Sequence, residues 1–214
     1  MLQRLLFVLI VLTVSSANVD AATLRIDSNT AMDFNLPGEH WLLFREAPAF
    51  LVDETMEHLG HELAGQGKSP GEEALRQAAL KRLAANEAFL CNPASRACLV
   101  VDFSPLREGE EAPSRRAVAA SARYAGEGLA DEEGIADLQQ KSEKYRLEGA
   151  ETAYRIDASF RQHGEPRRFI GIVGFRQPCW FYLYYTDPLN EPKDYSEMEV
   201  VLDSLVLRAT GSER

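Results

Sequence analysis

The stretch PCWFYLYYTDPLNEPKDYSEMEVVLDSLVLR, residues 178–208, decides the fold of this chain. From Trp180 to Tyr185 every residue is apolar or aromatic, so both faces of an extended strand at these positions would be apolar. Such a strand lies inside a sheet that has cover on both sides. The spacing of the apolar residues then becomes helical, at Met198, Val201, Leu202 and Leu205. We therefore predict a central strand and a C-terminal helix that covers the sheet.

The aromatic residues of this strand allow two interpretations. Trp180, Tyr182 and Tyr184 project to one side of the strand, and they could form a binding platform if that side were open. Fully burying one such side chain stabilises a protein by roughly 1.5–3 kcal/mol, which favours an interior position. We predict that these residues belong to the core beneath the C-terminal helix. Asp194 and Glu197 resemble a capping box, which predicts that this helix begins near Asp194.

Strand-like runs also precede the central strand, at residues 145–149, 152–162 and 167–177. In the second of these runs apolar and polar residues alternate, which is typical of an antiparallel sheet covered on one side. Residues 97–105 predict another strand. The polar segment 131–141 is interpreted as a further helical turn or two. This half of the chain therefore predicts an antiparallel sheet with helical cover.

The first half of the chain changes to a helical period at Asp53. Met56, Leu59 and Leu63 share one helical face, and Ser69-Pro70 is typical of the start of a second helix. We predict a helical insertion over residues 53–88.

Several segments carry a family resemblance: LEGAETAYRIDASF (147–160), RRFIGIVGFRQPCWFYLYYTDP (167–188), YSEMEVVLDSLVL (195–207) and FNLPGEHW (34–41). In their order and pattern they resemble the PsbP-like superfamily. This superfamily includes the extrinsic photosystem II protein, the Mog-type Ran-binding proteins and the DcrB-like periplasmic proteins. The resemblance covers residues 97–208 and, more weakly, residues 31–45.

The resemblance implies an α+β fold, namely an α/β/α sandwich with a central antiparallel sheet and a C-terminal covering helix. The helical insertion over 53–88 departs from the family pattern. The resemblance implies binding or assembly roles more than catalysis. No functional residue carries over, because the superfamily shares no fixed site that aligns with this chain.

The N-terminus has the pattern of a secretory signal peptide. Arg4 precedes an apolar run from Leu5 to Leu12, and small residues follow it. Cleavage after Ala17 or after Ala21 would leave small residues at the recognised positions, and an uncleaved anchor is the alternative. We predict a signal peptide over residues 1–21 and one domain over residues 22–214. A periplasmic or secreted location follows, without stable membrane insertion after cleavage.

The composition excludes some partners. The formal net charge is -10, and an acidic surface repels phosphate backbones, so nucleic acid is not an expected partner.

Gly171 and Gly174 lie inside a strand pattern and do not form a phosphate-binding loop. We expect no cofactor.

The three cysteines are Cys91, Cys98 and Cys179. Export permits disulfides, and Cys91 and Cys98 flank a turn at Asn92-Pro93. A Cys91–Cys98 disulfide is therefore a candidate. Pairing with Cys179, or three reduced thiols, remain alternatives at this level, because spacing does not assign connectivity.

The candidate metal ligands lie on the predicted helix at residues 54–62. His58 and His61 are three residues apart, and Glu54 and Glu62 each lie four residues from His58, so all four share one side of the helix. The order His-x-x-His-Glu matches neither known zinc-protease motif, and a solvated helix face is the favoured explanation of it.

Two hypotheses of function follow. The first is an exported, non-enzymatic protein that binds a protein partner or assists an assembly in the periplasm or cell envelope. The second is a metal-binding or metal-dependent periplasmic protein that uses Glu54, His58 and His61.

Overall fold

The computed structural model describes residues 20–26, 30–132 and 134–210. Most of the predicted signal peptide, residues 1–19, lies outside the described residues. The first strand begins at Asp20, so cleavage after Ala17 would leave it whole and cleavage after Ala21 would remove its first two residues. No described helix is long and apolar enough to cross a membrane.

The described residues form the following strands and helices. The strands are β1 (Asp20–Arg25), β2 (Thr30–Leu36), β3 (Leu42–Phe44), β4 (Ala88–Asn92), β5 (Ala97–Pro105), β6 (Ile135–Tyr145), β7 (Thr152–Gln162), β8 (Glu165–Arg176), β9 (Cys179–Thr186) and β10 (Val206–Ala209). The helices are α1 (Ala49–Gly65), α2 (Glu72–Leu83), α3 (Arg115–Glu127) and α4 (Pro192–Asp203), with a short 3-10 helix at Gly128–Asp131.

The strands form two antiparallel sheets. The larger sheet has seven strands in the order β3-β4-β5-β9-β8-β7-β6, so β9, the aromatic strand, lies at its centre. The smaller sheet has the order β1-β2-β10. The predicted α+β sandwich with a central antiparallel sheet is confirmed.

One face of the large sheet is sealed, and we call it the closed face. Phe181, Leu183 and Tyr185 of β9 point to this face and are at most 1% exposed. They belong to one hydrophobic cluster with side chains from α4 and from the small sheet, among them Met198, Val201, Leu24 and Met32. The predicted C-terminal covering helix is confirmed, and the small sheet extends its cover.

Polar contacts fix α4 on the closed face. Arg155 of β7 donates to Glu199 of α4 through both terminal nitrogens, at 2.6 and 2.5 Å. The hydroxyl of Tyr145 donates to the carbonyl oxygen of Leu202 at 2.8 Å. Arg155 also donates to Asp157, so its positive charge is paired with two carboxylates. These contacts orient α4 across the strands at the β6 edge of the sheet.

The other face, which we call the open face, has helical cover at its two ends among the described residues. Near β3 and β4, helices α1 and α2 bury Phe89 and Cys91 beneath Val52 and Leu83. At the opposite end α3 packs on β6, β7 and β8. Between these helices the central strands β5 and β9 remain partly exposed.

Some predicted boundaries need correction. The helical segment predicted over 53–88 consists of α1 and α2, so it begins at Ala49 and gives way to β4 at Ala88. The helix predicted over 131–141 is wrong: these residues belong mainly to β6, whose backbone pairs with β7. The capping-box interpretation of Asp194 is also wrong, because Glu191 is the N-cap of α4 and Pro192 its first residue.

Candidate functional site

The most distinctive feature of the open face is a row of three rings on β9, which we call the aromatic strip: Trp180, Tyr182 and Tyr184. The three side chains are partly exposed. The rings of Trp180 and Tyr182 stack with centroids 6.2 Å apart and planes 11° from parallel. Tyr182 and Tyr184 are also 6.2 Å apart, tilted by 41°. The alternation of side chains along an extended strand produces this row.

The strip corrects one part of the core prediction. Phe181, Leu183 and Tyr185 lie beneath α4 as expected, but Trp180, Tyr182 and Tyr184 face away from it. The prediction that all six are covered therefore holds only in part for the strip, whose rings are partly buried against the cluster beneath α3. The sequence shows which residues share a side, and it does not show that α3 covers these rings only in part, with Ser121 of α3 in hydrogen-bond contact with Tyr182.

Strand β5 supplies a second row beside the strip. In the antiparallel register Ser104 lies opposite Trp180, and Asp102 lies opposite Tyr182. Burial raises the pKa of Asp102 above that of an exposed carboxyl group. Burial also raises the pKa of Tyr182, and the Asp102 carboxylate adds to this rise. The strip therefore combines aromatic rings with a carboxylate that is poorly solvated.

A polar depression lies at the Trp180 end of the strip. Its volume is about 560 Å³. The lining residues come from the strip, from the end of β5 and from the loop that follows it: Trp180, Tyr182, Ser104, Pro105, Arg107, Glu108, Gly109 and Glu110. Arg107, Glu108 and Glu110 are exposed, so two carboxylates and one guanidinium group line this end of the strip.

The predicted metal ligands on α1 differ in their exposure and in their contacts. Glu54 lies 3.6 Å from Arg96, and burial raises its pKa. His58 is partly exposed and His61 is exposed, as is Glu62. The metal site predicted at Glu54, His58 and His61 stays a prediction.

The structure gathers a different set of potential ligands. Within the described ranges, His40, Asp194 and Glu197 bring their ligand atoms within 4.8 Å of one another. Sequence reasoning missed this group, because His40 and Glu197 are 157 positions apart. The one available signal was the i, i+3 spacing of Asp194 and Glu197, which was interpreted as a cap.

The cysteine prediction is confirmed for one pair. Cys91 and Cys98 form a disulfide across the β4–β5 hairpin, where they are direct partners in the register. Cys179 is 4% exposed at the start of β9 and takes no part in this bond. A disulfide is typical of proteins in oxidising compartments.

Solved structures of other proteins align with most of this chain. One is LpqN, involved in cell envelope biogenesis of Mycobacterium tuberculosis, with 13% identity, 90% of this chain and 92% of that chain covered, and a TM-score of 0.48. Another is the cyanobacterial PsbP (CyanoP) from Synechocystis sp. PCC 6803, with 8% identity, 89% and 94% covered, and a TM-score of 0.47. The second of these structures is a PsbP-type protein, and the PsbP-like superfamily is the one that the sequence pattern resembles. No family model and no curated protein matches the chain.

Proposed function

We propose that this chain is an exported, non-enzymatic protein of the cell envelope that binds a basic segment of a protein partner on the aromatic strip. The observation that carries the proposal is the row of partly exposed rings at Trp180, Tyr182 and Tyr184 on a sheet whose opposite face is sealed. Contiguous exposed aromatic surface is rare on proteins that have no binding partner.

The chemistry of the strip favours a cationic ligand. Arginine and lysine side chains stack on the faces of tryptophan and tyrosine rings, each with a gain of about 0.5–2 kcal/mol. Asp102 lies beside the middle ring, and Glu108 and Glu110 line the depression at one end. The whole chain carries a net charge of -10, which attracts basic partners at long range.

Export is the other half of the proposal. The signal-like N-terminus and the Cys91–Cys98 disulfide support it. Mass measurement of the protein recovered from its native cell tests this half directly. We expect a mass that corresponds to cleavage after Ala17 or Ala21, and an increase of about 2 Da on reduction as the disulfide opens. A full-length, fully reduced protein in the cytoplasmic fraction would contradict export.

Site-specific photo-crosslinking tests the binding surface. A photoreactive residue at position 182 should capture a partner in intact cells, and the same residue at position 124 should not. Tyr124 is a suitable control because it is a tyrosine, 63% exposed, on the outer side of α3. A partner captured equally from both positions would contradict the proposal.

Binding of the purified partner then tests the chemistry. We expect Trp180→Ala and Asp102→Lys each to weaken binding at least tenfold, and Tyr124→Ala to leave it unchanged. Added salt should weaken binding to the wild type, because the charged contacts are near the surface. If Asp102→Lys binds as tightly as the wild type, the partner is not recognised through its positive charge.

A further inference from the structure

His40, Asp194 and Glu197 meet where α4 passes the connection between β2 and β3. His40 lies in that connection, and Asp194 and Glu197 lie three residues apart in the first half of α4, so they project to the same side of the helix. One ligand atom from each residue lies within 4.8 Å of the other two. This group is separate from the aromatic strip and from the histidines of α1.

Asp194 is the first reason to regard this group as a ligand site. Its side chain is 3% exposed. Oδ1 accepts a hydrogen bond from Asn92 Nδ2 at 3.0 Å, but Oδ2 has no hydrogen-bond partner among the described residues. A buried carboxylate with one unpartnered oxygen is costly unless a positive charge compensates it. No cationic side chain forms an ion pair with Asp194 in the described part of the chain.

The other two members are held in position by their neighbours. Glu197 Oε2 lies 2.8 Å from His40 Nε2 and accepts a hydrogen bond from Trp41 Nε1 at 2.9 Å. The imidazole ring packs against Gly38, where a Cβ atom would come within 2.8 Å of it. Outer hydrogen bonds of this kind orient metal ligands in known sites. Trp41 and Asn92 therefore act as positioning residues.

We propose that His40, Asp194 and Glu197 bind a divalent transition-metal ion. One imidazole nitrogen and two carboxylate oxygens form a ligand set that zinc accepts, with a further position left for water. The two carboxylates balance the charge of the ion, which removes the cost of burying Asp194 without a counter-ion. A bound ion ties the β2–β3 connection to α4.

One exposed cation competes with the ion. Lys193 Nζ lies 3.5 Å from Glu197 Oε1, and its side chain is 71% exposed. Metal binding requires this ammonium group to move into water, which costs little for an exposed lysine. Replacement of Lys193 by glutamine should therefore strengthen binding a few-fold.

Calorimetric titration of the untagged protein with Zn²⁺ tests the site, and Co²⁺ absorption in the visible range reports ligation directly. We expect one ion per chain. His40→Gln and Asp194→Asn should each weaken binding at least 100-fold, and Asn92→Ala about tenfold, as for outer-shell residues of known sites. His58→Gln and His61→Gln are the matched controls and should leave binding unchanged.

Three outcomes would overturn the proposal. Failure to bind either ion at micromolar concentration is the first. The second is loss of binding in His58→Gln or His61→Gln with His40→Gln unaffected, which would place the metal on α1. The third is binding that persists in both His40→Gln and Asp194→Asn. Circular dichroism and thermal melts of the metal-free variants distinguish lost ligation from unfolding, and Glu197→Gln replaces any variant that does not fold.

Discussion

The two faces of β9 carry the same kinds of side chain in opposite surroundings. On the closed face, Phe181 is 0% and Leu183 1% exposed beneath α4. On the open face, Trp180 and Tyr182 are partly exposed, because the helices that cover this side stand over the two ends of the sheet. Apolar content therefore shows that a strand is central, and the placement of helices decides which of its faces is free to bind.

The first test compares neighbouring aromatic residues on the two faces. Phe181→Ala should lower the free energy of unfolding by about 3–5 kcal/mol, because it leaves a cavity in a fully buried cluster. Tyr182→Ala should cost less than half as much, since its ring is already partly hydrated. Urea denaturation monitored by circular dichroism measures both. Equal losses would show that the two faces are equally buried.

The second test concerns the disulfide under α1 and α2. It closes a loop with a sequence separation of seven, for which chain entropy predicts a stabilisation of about 2.5 kcal/mol. A reductant should lower the free energy of unfolding of the wild type by that amount. The double variant Cys91→Ala/Cys98→Ala should be insensitive to reductant. A reductant effect that survives in this variant would point to another cause.

The third test uses two glycines of β8 that face opposite sides. A Cβ atom at Gly174 would lie 2.0 Å from the Phe181 ring on the closed face, so Gly174→Ala should destabilise the protein by about 2 kcal/mol. At Gly171 the nearest atoms are side-chain ends of Phe169 and Ile156, at 2.9 and 3.0 Å on the open face. Gly171→Ala should cost less, because these side chains can shift. Thermal melts of both variants decide the order.

The smallest effect is expected at Asp102. Burial raises the pKa of Asp102 above that of an exposed carboxyl group, so the folded state holds its proton more tightly than the unfolded state. Stability from this group is present below the unfolded pKa and is lost as the pH rises through the folded pKa. Asp102→Asn should therefore increase the free energy of unfolding at pH 7 and change it little at pH 3. A decrease at pH 7 would mean that the carboxylate makes a favourable contact.

The sequence predicted the fold correctly where burial in the core imposes a periodic pattern of apolar residues. The apolar run of β9 and the apolar positions Met198, Val201 and Leu202 of α4 predicted the central strand and its covering helix, because burial selects these residues. It failed at β6, whose sequence IADLQQKSEKY has little apolar periodicity. Backbone pairing with β7 holds this edge strand, and hydrogen bonds of that kind leave no pattern in the side chains.

The candidate sites were less predictable than the fold. The two sides of β9 were visible as an alternation, but the exposure of the strip depends on how much of it α3 covers. The group of His40, Asp194 and Glu197 depends on a contact between distant parts of the chain, and a single sequence contains no record of such contacts.

The order of the small sheet has a consequence for how the protein matures. Strand β2 pairs with β1, which precedes it directly, and with β10, in which Val206 lies opposite Asp33. During synthesis β2 therefore has no second neighbouring strand until residues 206–209 have emerged. Until then its edge and the apolar side chains Met32 and Phe34 remain accessible to chaperones or to other chains. Premature termination before Val206 should accordingly yield a protein prone to aggregation.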